Sequence, residues 1–220
     1  MPFLEFIEDP NLWFSVITGT LAIIALFQTR KQLQLSNRQQ LFDRRLDKYI
    51  LIKDLLLLYS HNQNLINKDP EICEMVDFQF SLLTNNSTLE SMNMAMSTPL
   101  VQDVQNVFLI KCEMLEKAAT EIELIWKNNS MKIMSRFIRQ YKDLLTAMYK
   151  QQIILNRLHK ENESSPMQLE VFQKKAKGYA EKIGLFSVIE NIDVTYNEII
   201  NTKAEQRLIK SIRLDGSRYE

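Results

Sequence analysis

The chain has 220 residues, of which 45% are hydrophobic and 25% are charged, and its formal net charge is zero. This length suits one modest domain behind an N-terminal segment and excludes two full-sized domains. Residues 1–29 hold three acids and no bases, so the remainder carries 27 bases against 24 acids, too weak an excess to predict direct nucleic-acid binding.

The first predicted element is a membrane helix over residues 10–29. This window contains no charged side chain, and a bilayer core needs roughly 20 helical residues, so the window is just long enough to cross it. Trp13 lies near one end, where an indole favours the headgroup region, while Arg30 and Lys31 at the other end can extend into the headgroups. We therefore predict a first domain, residues 1–29, made of a tail and a transmembrane helix.

The charges on either side of this helix predict its orientation. Three acids precede the window, whereas six bases follow it, opposed only by Asp43 and Asp47. The positive-inside rule then places the N-terminus outside and the rest of the chain in the cytoplasm. A cleaved signal peptide would have the opposite charge order, so we expect a retained, single-pass anchor. The six bases are Arg30, Lys31, Arg38, Arg44, Arg45 and Lys48.

Small residues in the window predict that copies of the helix pack together in the lipid bilayer. Ser15 and Gly19 form a small-xxx-small pair, with Thr18 and Ala22 beside it, and such residues let membrane helices approach closely. We therefore predict a homo-oligomer. A buried core helix is the alternative interpretation, because Ser15, Thr18 and Thr20 make the window only moderately apolar.

Residues 30–220 are predicted to form an all-α cytoplasmic helical bundle. The few glycines and prolines punctuate helices rather than strands. Thr98 and Ser165, each followed by proline, predict two capped helix starts, and Gly184 predicts a helix end.

From Arg30 the chain is predicted to continue as one helix to about Asn67, a stalk between membrane and cytoplasm. Its apolar residues recur on one face and require a partner, either the rest of the body or another copy of the same helix. The sequence does not choose between these partners. The apolar residues are Leu35, Phe42, Leu46, Tyr49, Ile50, Leu56 and Leu57.

Two further segments predict a long antiparallel hairpin with a coiled-coil-like seam. The first, from Pro99 to Asn128, carries an apolar residue every seven positions, and the second keeps the same 3,4 spacing to about His159. A shorter helix ending at Gly184 and a last long helix reaching Ile212 complete a predicted bundle of four or five helices. The seam residues are Val101, Phe108, Leu115 and Ile122 in the first segment and Met134, Ile138, Tyr141, Leu145, Met148 and Leu155 in the second.

The segment between Asn85 and Pro99 breaks the helical pattern and concentrates methionines. Met92, Met94 and Met96 are typical of an adaptable contact site, here for a cytoplasmic protein partner or sensor. The simpler interpretation is a surface loop or short helix that lies on the core.

The sequence lacks recognisable catalytic and cofactor-binding patterns. His61 and His159 are its only histidines, and no phosphate-binding, serine-hydrolase or zinc-protease motif occurs. Four acids within residues 113–123 have lysines nearby, as on a solvated helix face, and His159 is predicted to pack at the end of its helix. Cys73 and Cys112 are isolated, so a cytoplasmic body would keep them as reduced thiols. We therefore predict no enzyme activity, no cofactor and no metal site.

The stretch from Arg38 to Tyr49, which follows a Trp-led membrane helix, resembles a pattern in small bacterial membrane proteins, some of them encoded beside anti-phage genes. The resemblance implies an inner-membrane effector of phage defence, of the kind attached to retrons or CRISPR systems, that impairs the membrane once infection is sensed. Some similar helical effectors carry an R-x4-6-H ribonuclease motif. No arginine and histidine of this chain have that spacing, so the resemblance does not extend to ribonuclease activity.

Three functions from different classes are compatible with these patterns. The first is an effector of abortive infection whose anchors gather into an assembly that leaks ions. The second is a membrane-tethered scaffold or regulator whose bundle holds a cytoplasmic partner. The third is an enzyme with unfamiliar chemistry.

Overall fold

The protein is described by a computed structural model that covers residues 10–67, 74–126 and 129–212. Every regular element in this part of the chain is helical, which confirms the all-α prediction. The helices are α1 Pro10–Asn67, α2 Val76–Leu83, α3 Met94–Ser97, α4 Gln102–Ile125, α5 Asn129–Ser164, α6 Leu169–Lys182, α7 Leu185–Asn201 and α8 Ala204–Ile212, with a short 3-10 turn at Glu90–Met92.

The chain divides into two compact units, and the boundary between them falls between Arg45 and Leu46. The sequence-based boundary after residue 29 marks the end of the apolar window, whereas this boundary marks where residues start to contact a larger body. We refer to the described part of the first, residues 10–45, as the N-terminal unit and to residues 46–212 as the helical body.

Within the helical body, α1 contributes one face to the core. Leu56 is buried, as a partnered face requires, but Leu46, Ile50 and Leu57 from the same predicted face remain substantially exposed. The core is instead contacted by residues about a third of a turn away on the helix. These residues are Ile52, Leu55, Tyr59 and Ile66.

Helix α5 is the centre of the helical body and contacts α2, α4, α6, α7 and α8. An aromatic cluster ties it to two neighbours: the Tyr59 ring of α1 lies 5.9 Å from Phe137 and 5.1 Å from Tyr196 of α7, measured between ring centroids. The buried Tyr141 hydroxyl donates a 2.6 Å hydrogen bond to the Leu83 carbonyl at the end of α2. Every seam residue predicted for this helix is buried: Met134, Ile138, Tyr141, Leu145, Met148 and Leu155.

Helices α4 and α5 pack against each other in antiparallel orientation. Ser135 bonds to Glu123 near one end, and the rings of Phe108 and Tyr149 stack at 4.3 Å near the other. Of the seven-residue repeat predicted for α4, Phe108, Leu115 and Ile122 are buried. Val101 is exposed because it precedes the helix. The coiled-coil geometry of this contact stays a prediction.

The two predicted helix starts were each wrong by three residues. Helix α4 begins at Gln102 rather than after Thr98, and α6 begins at Leu169 rather than after Ser165. The backbone N–H of Thr98 donates to Met94, and that of Ser165 donates to Glu161, so both residues close the preceding helix. Their hydroxyl groups therefore belong to helix ends and cap no new helix.

The last predicted long helix is two helices. Helix α7 ends at Asn201 and α8 begins at Ala204, because Lys203 between them adopts the left-handed conformation with φ of 51°. The Lys203 N–H donates to Ile200, which closes α7. The other predicted end is confirmed: Gly184 also has a positive φ, 78°, and separates α6 from α7 as glycine does after helices.

Candidate membrane helix and its packing face

One described helix, α1, is long and apolar enough to cross a membrane, with its apolar window near the N-terminus. None of that window is buried against the rest of the protein. This result argues against the buried-core alternative, since a core helix would have its apolar side chains covered. Exposed apolar surface on this scale marks an interaction site. The large apolar side chains exposed there are Trp13, Phe14, Val16, Ile17, Leu21, Ile23, Ile24, Leu26 and Phe27.

The threonine hydroxyls of this helix are satisfied by the helix itself. The Thr18 hydroxyl donates to the Phe14 carbonyl at 2.7 Å, and that of Thr20 donates to Val16 at 2.8 Å. The Thr29 hydroxyl makes the same type of bond, to Ala25. A polar group without a hydrogen-bond partner in hydrocarbon costs roughly several kcal/mol. A hydrogen bond from the hydroxyl to the carbonyl four residues earlier removes most of that cost. The threonines that make the window only moderately apolar are therefore compatible with lipid.

Small side chains occupy one side of the helix. At 3.6 residues per turn, the 3,4 spacing from Ser15 to Thr29 places five of them in one stripe, while Thr20 lies on the opposite side. Gly19 lies at the edge of the stripe, and a Cβ atom added there would meet nothing within 4 Å. We call this stripe the packing face. It comprises Ser15, Thr18, Ala22, Ala25 and Thr29.

The packing face continues beyond the apolar window within the N-terminal unit. Gln32, Ser36 and Gln39 extend the same 3,4 spacing, and all three are exposed. The basic residues of this unit lie outside the packing face and its continuation. Two helices packed along this face would therefore bring no arginine or lysine directly together. The basic residues are Arg30, Lys31, Arg38, Arg44 and Arg45.

The predicted site residues divide into two groups in the structure. Ser15, Thr18 and Ala22 share the packing face, and Gly19 lies at its edge. Trp13, Arg30 and Lys31 are exposed at the two ends of the apolar window, as an anchor requires. The sequence interpretation missed Ala25 and Thr29, although their 3,4 spacing from Ala22 was a sufficient signal.

A charged cluster in the helical body joins α4 to α5. Arg139 donates to Glu116 at 2.8 Å and to Glu123 at 2.6 Å, and the Lys142 ammonium lies 2.6 Å from the second Glu116 oxygen. Hydrogen bonds from Arg139, with a further one from Ser135, lower the pKa of Glu123 to about 2. Glu116 and Glu123 keep about 40% of their side chains exposed, as on the predicted solvated helix face, and they also pair with α5.

Glu121, another of the four acids within residues 113–123, pairs with Lys48 of α1 at 2.5 Å. This contact lies inside the helical body and fixes the first turn of its α1 segment against α4. The acids of α4 thus contribute to the association of three helices, which gives them a structural role.

A shallow groove of about 460 Å³ lies where the segment before α4 meets the end of α5. Leu100 is 70% exposed in it, and the ring of His159 packs on Phe172 of α6 at 4.9 Å between centroids. The nearby methionines behave differently from one another: Met92 and Met96 are buried, and only Met94 is exposed. The burial of two of the three methionines therefore agrees with the simpler interpretation, a surface loop or short helix that lies on the core.

No metal-binding or reactive-thiol chemistry is assembled in the described residues. Those ranges contain no group of three or more histidine, cysteine, aspartate or glutamate side chains that could hold a metal ion. Cys112 is a free, half-buried thiol 3.9 Å from the Thr146 hydroxyl, and burial raises its pKa. His61 is exposed. Cys73 lies outside the described residues.

Comparison with known proteins found no match to a family model, a curated protein or a solved structure. The function must therefore be inferred from the geometry of the chain itself. The two candidate sites are the packing face of α1 and the groove lined by Leu100.

Proposed function

We propose that this chain is a single-pass protein of the bacterial inner membrane that self-associates through its N-terminal helix and impairs membrane integrity. In this proposal it is a non-enzymatic effector of an anti-phage system that acts by abortive infection. The observation that carries the proposal is the apolar window of α1, in which no residue is buried and small side chains form one stripe.

The proposed orientation places Trp13 at the outer surface and Arg30 and Lys31 at the cytoplasmic surface. It is supported by the charge difference between the flanks of the window, since cytoplasmic flanks carry an excess of lysine and arginine. Residues 30–220 then lie in the cytoplasm as a helical bundle that includes a coiled-coil-like hairpin of α4 and α5. Antiparallel contacts between those two helices support this arrangement.

Self-association is supported by the shape of the packing face. Lipid tails are as apolar as leucine, so membrane helices associate through close van der Waals packing, which small residues permit. Ser15, Gly19 and Ala22 allow two backbones to approach closely, whereas Ile17 and Leu21 on other sides of the helix suit lipid. Copies in one membrane share the same orientation and depth, so equal positions on each helix meet.

Membrane damage follows in the proposal if several copies surround a central space. The packing face is the most polar side of the window, and it continues into Gln32, Ser36 and Gln39. Polar residues of membrane helices generally face a bundle interior or a water-filled cavity. In a ring of copies, the edge of this face at Gly19 would contact the neighbouring helix, while Thr18 and Thr29 near its middle would line a path with hydroxyl groups. Large apolar residues on the outer side would then remain in contact with lipid.

The direct test is controlled expression in bacteria with a membrane-potential dye, both without phage and during infection. We expect depolarisation by the natural sequence and its loss in Gly19→Ile, because the added side chain separates the helices. The matched control is Ile17→Leu, which changes an exposed apolar side chain on the side of the helix opposite Gly19 and should depolarise like the natural sequence. Cells that stay polarised under every condition would rule out the leakage proposal.

The alternative function is a membrane-tethered scaffold that binds a cytoplasmic protein. The groove lined by Leu100 and Val101 favours it, because these two exposed side chains offer apolar contacts next to polar residues of α5. In this case the natural sequence should leave the membrane polarised. A partner recovered by crosslinking in cells should be lost in Leu100→Glu and retained in Leu124→Glu, which alters a similarly exposed leucine near the end of α4.

A further inference from the structure

We draw no further inference here: the strongest candidate, the patch of exposed apolar side chains of Leu65, Met75 and Phe78 at the end of α1 and beside the start of α2, has nothing in the structure that shows what covers it.

Discussion

Two long helices of this protein place apolar residues in opposite environments. Helix α5 has 36 residues, and its apolar side chains are buried on the sides that contact α4, α7 and the other helices of the body. The window of α1 is apolar nearly all round and buries nothing. The first pattern stabilises a fold, whereas the second leaves apolar surface exposed, which the proposed function assigns to lipid and to other copies. Mutations in the two helices should therefore affect different measurements.

The largest effect should come from Phe137→Ala in α5. Phe137 is fully buried in the aromatic cluster, so its truncation leaves a cavity and should destabilise the helical body by about 3–5 kcal/mol. Thermal or denaturant unfolding of the full-length protein in detergent, followed by circular dichroism, measures this change.

The matched change in the other helix is Phe14→Ala. Phe14 is 70% exposed, so the unfolding midpoint of the helical body should not move. If Phe14→Ala destabilised the helical body as much as Phe137→Ala, apolar residues in the two helices would not differ in their contribution to stability.

A smaller loss of stability is expected from Tyr141→Phe. The change removes the donor to the Leu83 carbonyl and leaves that buried oxygen without the bond, at a cost of about 1–3 kcal/mol. Tyr179→Phe is the control, because this tyrosine is exposed and should change stability by less than about 0.5 kcal/mol. Unfolding curves that coincide for both variants would show that the Tyr141 bond is not stabilising.

Two threonines of α1 provide a matched test of the packing face. Thr18 and Thr20 make the same hydrogen bond to the carbonyl four residues earlier, but only Thr18 lies on the packing face. Thr18→Leu should weaken self-association by about 1 kcal/mol, roughly fivefold to tenfold, and Thr20→Leu should not weaken it. Energy transfer between labelled copies in lipid vesicles measures the association. Identical curves for the two variants would argue against this face.

The smallest effect should be a pH dependence confined to the helical body. Because Arg139 lowers the folded-state pKa of Glu123 to about 2, below the usual glutamate value of about 4.3, the carboxylate stabilises the fold above that usual value. The contribution is lost as the pH falls from about 4 towards 2. Glu123→Gln should flatten this part of the stability curve, and high salt should flatten it for the natural sequence. An unchanged slope in the variant would assign the acid sensitivity to other carboxylates.

Sequence periodicity predicted the helical registers best where one side of a helix is polar. In α5 every predicted seam residue is buried, since lysines and arginines mark the other sides. The segment of α1 from Ile50 to Tyr59 is apolar nearly all round, so periodicity could not decide between Leu56, which is buried, and Leu57, which is not. The ambiguity reflects the composition of the segment.

Features that depend on neighbours distant in sequence were not predictable. Nothing around Lys203 is a glycine or proline, so the break between α7 and α8 has no local signal. Glu116 and Glu123 resemble solvated acids until Arg139 is placed opposite them by the α4–α5 contact. The packing face, in contrast, was partly predictable, because it depends only on spacing within one helix.

The threonine bonds within α1 bear on when the protein can act. Because the hydroxyls of Thr18, Thr20 and Thr29 already have acceptors in their own helix, a lone copy needs no second copy to satisfy them in lipid. In the proposed effector, insertion and assembly can then be separate events, with single copies accumulating harmlessly until a signal concentrates them. In an effector that damages its own host, such a dormant pool would allow a rapid response without continuous toxicity.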